Sequence, residues 1–166
     1  MKPGTRVVIQ PEEWGTGGRR WGQLVGAEGA AAHVVLYDGT ECTFPRAWVF
    51  RARDLRGVRI REDSKLPGLI FWMRCKAFTL GLWIFLTRAA YPRLLRHELI
   101  HVAQYRELWY LGFAVLYLAF GAWHLARTRS FRAAYFSIPF EREAHAHDDT
   151  PGYLATRKRF AWRGIG

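Results

Sequence analysis

Cysteine is scarce in this 166-residue chain: Cys42 and Cys75 stand far apart. Without a Cys-x-x-Cys pair, a thiolate zinc knuckle and a thioredoxin-type redox motif are both excluded. Two thiols make no disulfide framework, so both are expected free and buried in a reducing compartment. Acidic residues are also few, with 14 Asp and Glu against 25 Lys and Arg, for a net charge of +11. Lysine is nearly missing: the cations are 21 Arg and 4 Lys. No polybasic tail is present, and the nearest cluster is the short run Arg157-Lys158-Arg159. Such a balance suits phosphate, anionic lipid or acidic substrates. It suits equally a genome-wide bias toward Arg codons. The first ten residues lack an apolar core, so no secretory signal is expected and a cytoplasmic location is. Internal repeats and low-complexity tracts are absent.

What is present excludes a disordered chain. Half of the residues are hydrophobic and 16% are aromatic, enough to bury a core. The character changes near residue 55. Before it, Gly-rich punctuation separates short β-like runs: Thr5 to Ile9, Trp21 to Val25 after the loop Gly15-Thr16-Gly17-Gly18, Ala32 to Tyr37, Thr40 to Phe44, and Val49 to Arg53. Asp38-Gly39 is a strong hairpin-turn pair. Five short strands predict a small barrel over residues 1–56. The pattern Val7-Val8-Ile9 followed by Val35-Leu36-Tyr37-Asp38-Gly39 loosely resembles SH3-like or Tudor-like barrels, which bind peptides or nucleic acid through exposed aromatics. Trp14, Trp21 and Trp48 are the candidates, and packing of a small core is the plainer role for them.

Residues 55–68 read as a polar linker ending at Leu66-Pro67-Gly68, with one short strand at Val58 to Arg61. Phe78 to Phe85 reads as a strand with Gly81 inside it. Pro92 sets a helix start, and from Arg93 the apolar period becomes helical. Further helices are predicted over Leu111 to Arg127 and Pro139 to His147. Leu108 to Ala126 carries no formal charge and is bracketed by Trp109, Tyr110, Trp123, Arg106, Arg127 and Arg129. That length just reaches the spanning range, while two glycines interrupt it and the preceding helix runs on into it. A core helix, membrane-surface contact and a span are the three readings of 108–126.

The chemistry lies in His97-Glu98-Leu99-Ile100-His101, an H-E-x-x-H segment on a predicted helix. Two His residues at i and i+4 share one face, within reach of one Zn²⁺ at about 2.0–2.1 Å. Glu98 is then placed as general base and later general acid. A catalytic zinc takes a third protein ligand. Position 104 is Gln and position 107 is Glu, so the extended H-E-x-x-H-x-x-G-x-x-H form is absent. Glu107 falls on a different helical face. The ligand must come from farther on, and Glu141-Arg142-Glu143-Ala144-His145 is the richest segment.

Here the chain resembles gluzincin-type zincins, in which a Glu on a later helix opens an E-x-x-A-D or E-x-E-A-D stretch. The match covers all but the last position, where His145 stands for the Asp that would orient a ligand His. The resemblance implies His97, His101 and Glu141 as zinc ligands, with Glu143 as the alternative third. Thr79-Leu80-Gly81, Gln104 and Phe140 to Ala144 further resemble small bacterial zincin-like proteins. It also implies that Thr79 to Phe85 is an edge strand pairing with an extended substrate. Tyr91, Tyr135, Arg142 and His145 are chemically able to stabilise an oxyanion, and none is singled out. His33 and His124 are expected to be structural.

The sequence therefore predicts an α+β chain: an SH3-like barrel over 1–56, then a zincin-like domain over 57–166 acting as a zinc metallopeptidase on a peptide or protein. Two rivals are a zinc-containing binding module without catalysis, and a basic adaptor contacting membrane surface or nucleic acid.

Overall fold

A computed structural model describes residues 1–9, 20–61, 64–65, 76–86 and 92–165. Trp14, the loop 15–18, Leu66-Pro67-Gly68, Cys75 and Tyr91 lie outside the described residues. The architecture is mixed α+β, with sheets followed by helices.

Arg6–Ile9 (β1), Arg20–Glu28 (β2), Ala31–Leu36 (β3), Glu41–Pro45 (β4) and Val49–Arg51 (β5) form an antiparallel sheet in the order β4-β3-β2-β1-β5. A single 3₁₀ turn, Arg46–Trp48, separates β4 from β5. The Asp38-Gly39 turn joins β3 to β4. Gly39 sits at φ 85°, a left-handed conformation that glycine adopts without cost, and Asp38 Oδ1 accepts from the Thr40 amide at 2.9 Å. Strands β4 and β5 are the two edges, so among the described residues this sheet does not close into a ring.

Strand β1 is covered on both sides. Val7 and Ile9 join Leu24, Ala32, Val34, Leu36 and Val49 in one core, against which Trp48 packs. Val8 enters a second core with Phe50, Ala77, Ile84, Leu86, Leu95, Leu99 and Val102. Successive strand side chains alternate, so an unbroken apolar run is what a doubly covered strand requires. That second core ties the N-terminal sheet to the helix carrying the H-E-x-x-H segment. Arg96 strengthens the join, donating to the Ala47 carbonyl at 2.9 Å.

A second sheet holds Arg59–Arg61 (β6), Ala77–Leu80 (β7) and Trp83–Leu86 (β8) in the order β6-β8-β7, with β6 parallel and β7 antiparallel to β8. The expected single strand from Phe78 to Phe85 is thus a hairpin. Gly81 at φ 64° reverses the chain instead of continuing it. Among the described residues β7 is an edge strand, whereas Phe85 lies on the central strand.

The helices are Pro92–Glu107 (α1), Leu111–Thr128 (α2), Phe131–Ser137 (α3), Pro139–His147 (α4) and the single turn Tyr153–Thr156 (α5), followed by a 3₁₀ turn at Ala161–Gly164. Helix α3 was not foreseen in the sequence; Ser130 caps it, its hydroxyl accepting from the Ala133 amide. Helices α1 and α2 are not continuous as expected. Trp109 and Tyr110 adopt φ 54° and 56°, and the axes bend by 113°. No single described helix is long and apolar enough to cross a membrane. Tyr105, Phe113, Ile138, Phe140 and Trp162 form a third core where α1, α2 and α4 meet.

Candidate metal centre

Helix α1 divides its buried residues between two faces. Leu95, Leu99 and Val102 enter the second core. His97, Glu98, His101 and Gln104 are also buried, and they need polar partners. The i, i+4 spacing brings His97 Nε2 and His101 Nε2 to 3.1 Å. Across from them, α4 presents Glu141, whose Oε2 lies 3.4 Å from His97 Nε2 and whose Oε1 lies 3.4 Å from His101 Nε2.

The two Nε2 atoms and the two Glu141 oxygens lie about as close together as the ligand atoms of one tetrahedral Zn²⁺. With ligand bonds of about 2.0–2.1 Å, ligand atoms stand about 3.3–3.4 Å apart. Glu141 Oε2 is buried and lacks a hydrogen-bond partner, as expected of an atom reserved for a cation. Two imidazoles and a carboxylate also suit zinc chemically. The donor set therefore fits the metal.

The outer nitrogens both face acceptors, as those of metal-binding imidazoles do. Gln104 is fully buried, and its amide nitrogen donates to the Phe140 carbonyl and to Glu143 Oε2, both at 3.1 Å. Those two acceptors orient the amide, leaving Gln104 Oε1 to accept from His101 Nδ1 at 2.8 Å. With Nδ1 donating to Gln104, Nε2 is the ring nitrogen turned toward Glu141, and the one that would bind a metal once it has lost its proton. His97 Nδ1 faces Asp148 Oδ2 at 3.7 Å, and Asp148 is itself buried and paired with Arg93. The carboxylate that position 145 lacks is thus supplied three residues later.

Charge follows this geometry. Burial opposes ionisation of His97, yet Asp148, Glu141 and Glu98 override it and hold the imidazolium up to about 9. Burial alone would raise the Glu141 carboxyl, but His101 and His97, each 3.4 Å away, hold it well below the ordinary carboxylate range. Glu98 behaves differently: burial raises it, and the two imidazoles and Thr79 only partly offset this. Thr79 on β7 donates its hydroxyl to Glu98 Oε2 at 2.6 Å.

A cavity of about 310 Å³ opens on this cluster, lined by Phe78 and Thr79 of β7, His97, Glu98 and His101 of α1, and Tyr117 of α2, among others. The Tyr117 hydroxyl donates to Glu141 Oε1 at 2.7 Å, and Tyr135 lines the same cavity. His145 stands at the edge, its side chain about a third exposed, with Nε2 3.8 Å from Glu141 Oε2. His97, Glu141 and His145 offer ligand atoms all within 4.8 Å of one another.

The structure brings His97, Glu98, His101 and Glu141 together. Glu143 turns away to Gln104, Tyr153 and Arg157. Glu107 pairs with Arg157 as well. Asp148, Tyr117 and Arg157 take part in the site without a role assigned by the sequence pattern. Asp148 follows the E-x-E-A segment directly and offered a signal; the other two offered none.

A family model described as the eCIS core domain matches residues 49–108, about a third of the chain. The match runs from β5 through α1, so it includes Thr79 and the H-E-x-x-H helix and stops short of Glu141. No curated protein and no solved structure matches this chain.

Proposed function

We propose that this chain is a zincin-like zinc metallopeptidase of the gluzincin type, with an SH3-like β-unit over residues 1–56 and the peptidase part over 57–166. The observation that carries the reading is the convergence of His97, His101 and Glu141 at 3.1–3.4 Å, with Glu98 beside them on α1 and hydrogen-bonded to Thr79 of the edge strand β7. Zn²⁺ held by those three residues would lower the pKa of a water and polarise the scissile carbonyl.

The chain's own residues supply the rest. Glu98 takes a proton from the attacking water as the new C–O bond forms, and returns it to the amine as the C–N bond breaks. Its raised pKa suits both halves of that exchange. Thr79 holds Glu98 Oε2 and fixes the carboxylate's direction. The open edge of β7 offers backbone groups to an extended peptide, which would lie along the cavity as an added strand.

One observation favours a second reading, a zinc module without catalysis. His145 approaches Glu141 and His97 closely enough to complete a four-ligand shell. Elemental analysis of wild type beside His101→Ala tests the metal site, and a protease-substrate screen beside Glu98→Gln tests catalysis. About one zinc per chain, lost in His101→Ala, supports the site. Zinc without hydrolysis of any peptide selects the second reading, and no zinc in either protein overturns both.

A further inference from the structure

Helix α2 has two unlike faces. Phe113, Leu116, Tyr117 and Phe120 turn inward against Phe140 and Trp162. Leu111, Val115, Leu118 and Trp123 turn outward and are each more than half exposed, and Trp109 just before the helix is 87% exposed. The outward residues fall at i, i+4, i+7 and i+12, with exposed Ala119 and Ala122 between them, so they form one continuous apolar stripe. Isolated exposed apolar side chains are ordinary, but a contiguous stripe with a Trp at each end is not.

The charges on the segment that carries the stripe have one sign. From Leu108 to Phe140 the chain holds no Asp or Glu, and it holds Arg127, Arg129 and Arg132, all exposed. Arg127 lies over the Trp123 ring at 5.7 Å, which places a cation beside the aromatic end of the stripe. Phe131 and Phe136 on α3, which packs along α2, add exposed rings.

We propose that the outward face of α2 docks on an anionic membrane surface, lying in the plane of the headgroups. Apolar side chains enter the acyl boundary, Trp109 and Trp123 anchor at the interface, and the arginines meet lipid phosphates. Full spanning is not required, since α2 keeps its inner face in the protein core. Leu118 also lines the cavity beside His97 and His101, so the docked bilayer lies along the rim of the candidate site. This surface stands independently of the metal.

The test is co-sedimentation of the full chain with vesicles of phosphatidylglycerol and phosphatidylcholine in equal parts, beside vesicles of phosphatidylcholine alone. Wild type is expected to sediment with the anionic vesicles and to release as salt rises. The triple variant Arg127→Gln, Arg129→Gln, Arg132→Gln should bind about a hundredfold more weakly, at about 1 kcal/mol per cation. The variant Leu111→Ser, Val115→Ser, Leu118→Ser, Trp123→Ser should not bind, with circular dichroism and melting checking its fold. Should that variant unfold, the arginine variant carries the test alone. Absence of wild-type binding overturns the proposal. So does binding that neither variant weakens, or a wild-type dimer by light scattering that ignores vesicles and becomes monomeric in the serine variant. His101→Ala should bind vesicles like wild type, which separates docking from the metal reading.

Discussion

Gln104 Oε1 stands 2.8 Å from His101 Nδ1, and the same amide donates to Phe140 and Glu143. One side chain on α1 thus sets the tautomer of a candidate ligand and joins α1 to α4. Gln104→Leu removes the acceptor with little change in volume. Zinc affinity should fall by about 10- to 100-fold, read by competition with a chromophoric chelator. Affinity equal to wild type would show that Gln104 has no part in orienting His101.

Glu98→Gln should separate binding from chemistry. The amide is isosteric and keeps an oxygen for the Thr79 hydroxyl, while the exchangeable proton is lost. Zinc content should stay at the wild-type level, and peptide hydrolysis should fall by about 10²- to 10⁴-fold. Loss of zinc from this variant would contradict the role given to Glu98.

Arg157 lies between Glu143 and Glu107, and all three side chains are nearly or fully buried. Removing the cation leaves two carboxylates facing each other out of water. Arg157→Met should cost about 3–5 kcal/mol in urea unfolding. Glu143→Gln should cost less, because it leaves Arg157 paired with Glu107. A loss below about 1 kcal/mol for Arg157→Met would mean that water reaches these groups.

Metal should stabilise the fold in proportion to its binding. At free zinc about 1,000-fold above the dissociation constant, the gain is about 4 kcal/mol. Chelator should lower the melting temperature of wild type, and zinc should restore it. His101→Ala should melt at the same temperature with and without zinc.

Leu99 packs in a core that also contains Val8 and Phe50. Leu99→Ala should therefore destabilise by about 2–5 kcal/mol. The N-terminal sheet and the helices should melt together, with far-ultraviolet dichroism and tryptophan fluorescence giving one midpoint. Two separated midpoints would show that residues 1–56 fold on their own.

The sequence by itself determined what depends on local geometry. Two His residues four apart share a helical face wherever the helix forms, so the His97–His101 pair was legible before any fold was known. The Asp38-Gly39 turn and the Pro139 helix start were legible for the same reason. Only the tertiary structure decided what depends on how elements meet. Glu141 and Glu143 are two residues apart, about 200° around a helix, and packing of α4 on α1 turned one to the imidazoles and the other to Arg157. Asp148 reaches His97 because α4 ends beside the start of α1, a distance across space that no spacing in the sequence encodes. The helix start at Leu111 was legible, but the 113° bend at Trp109 and Tyr110 was not, because an apolar run reads as one direction until the core beneath it requires a turn.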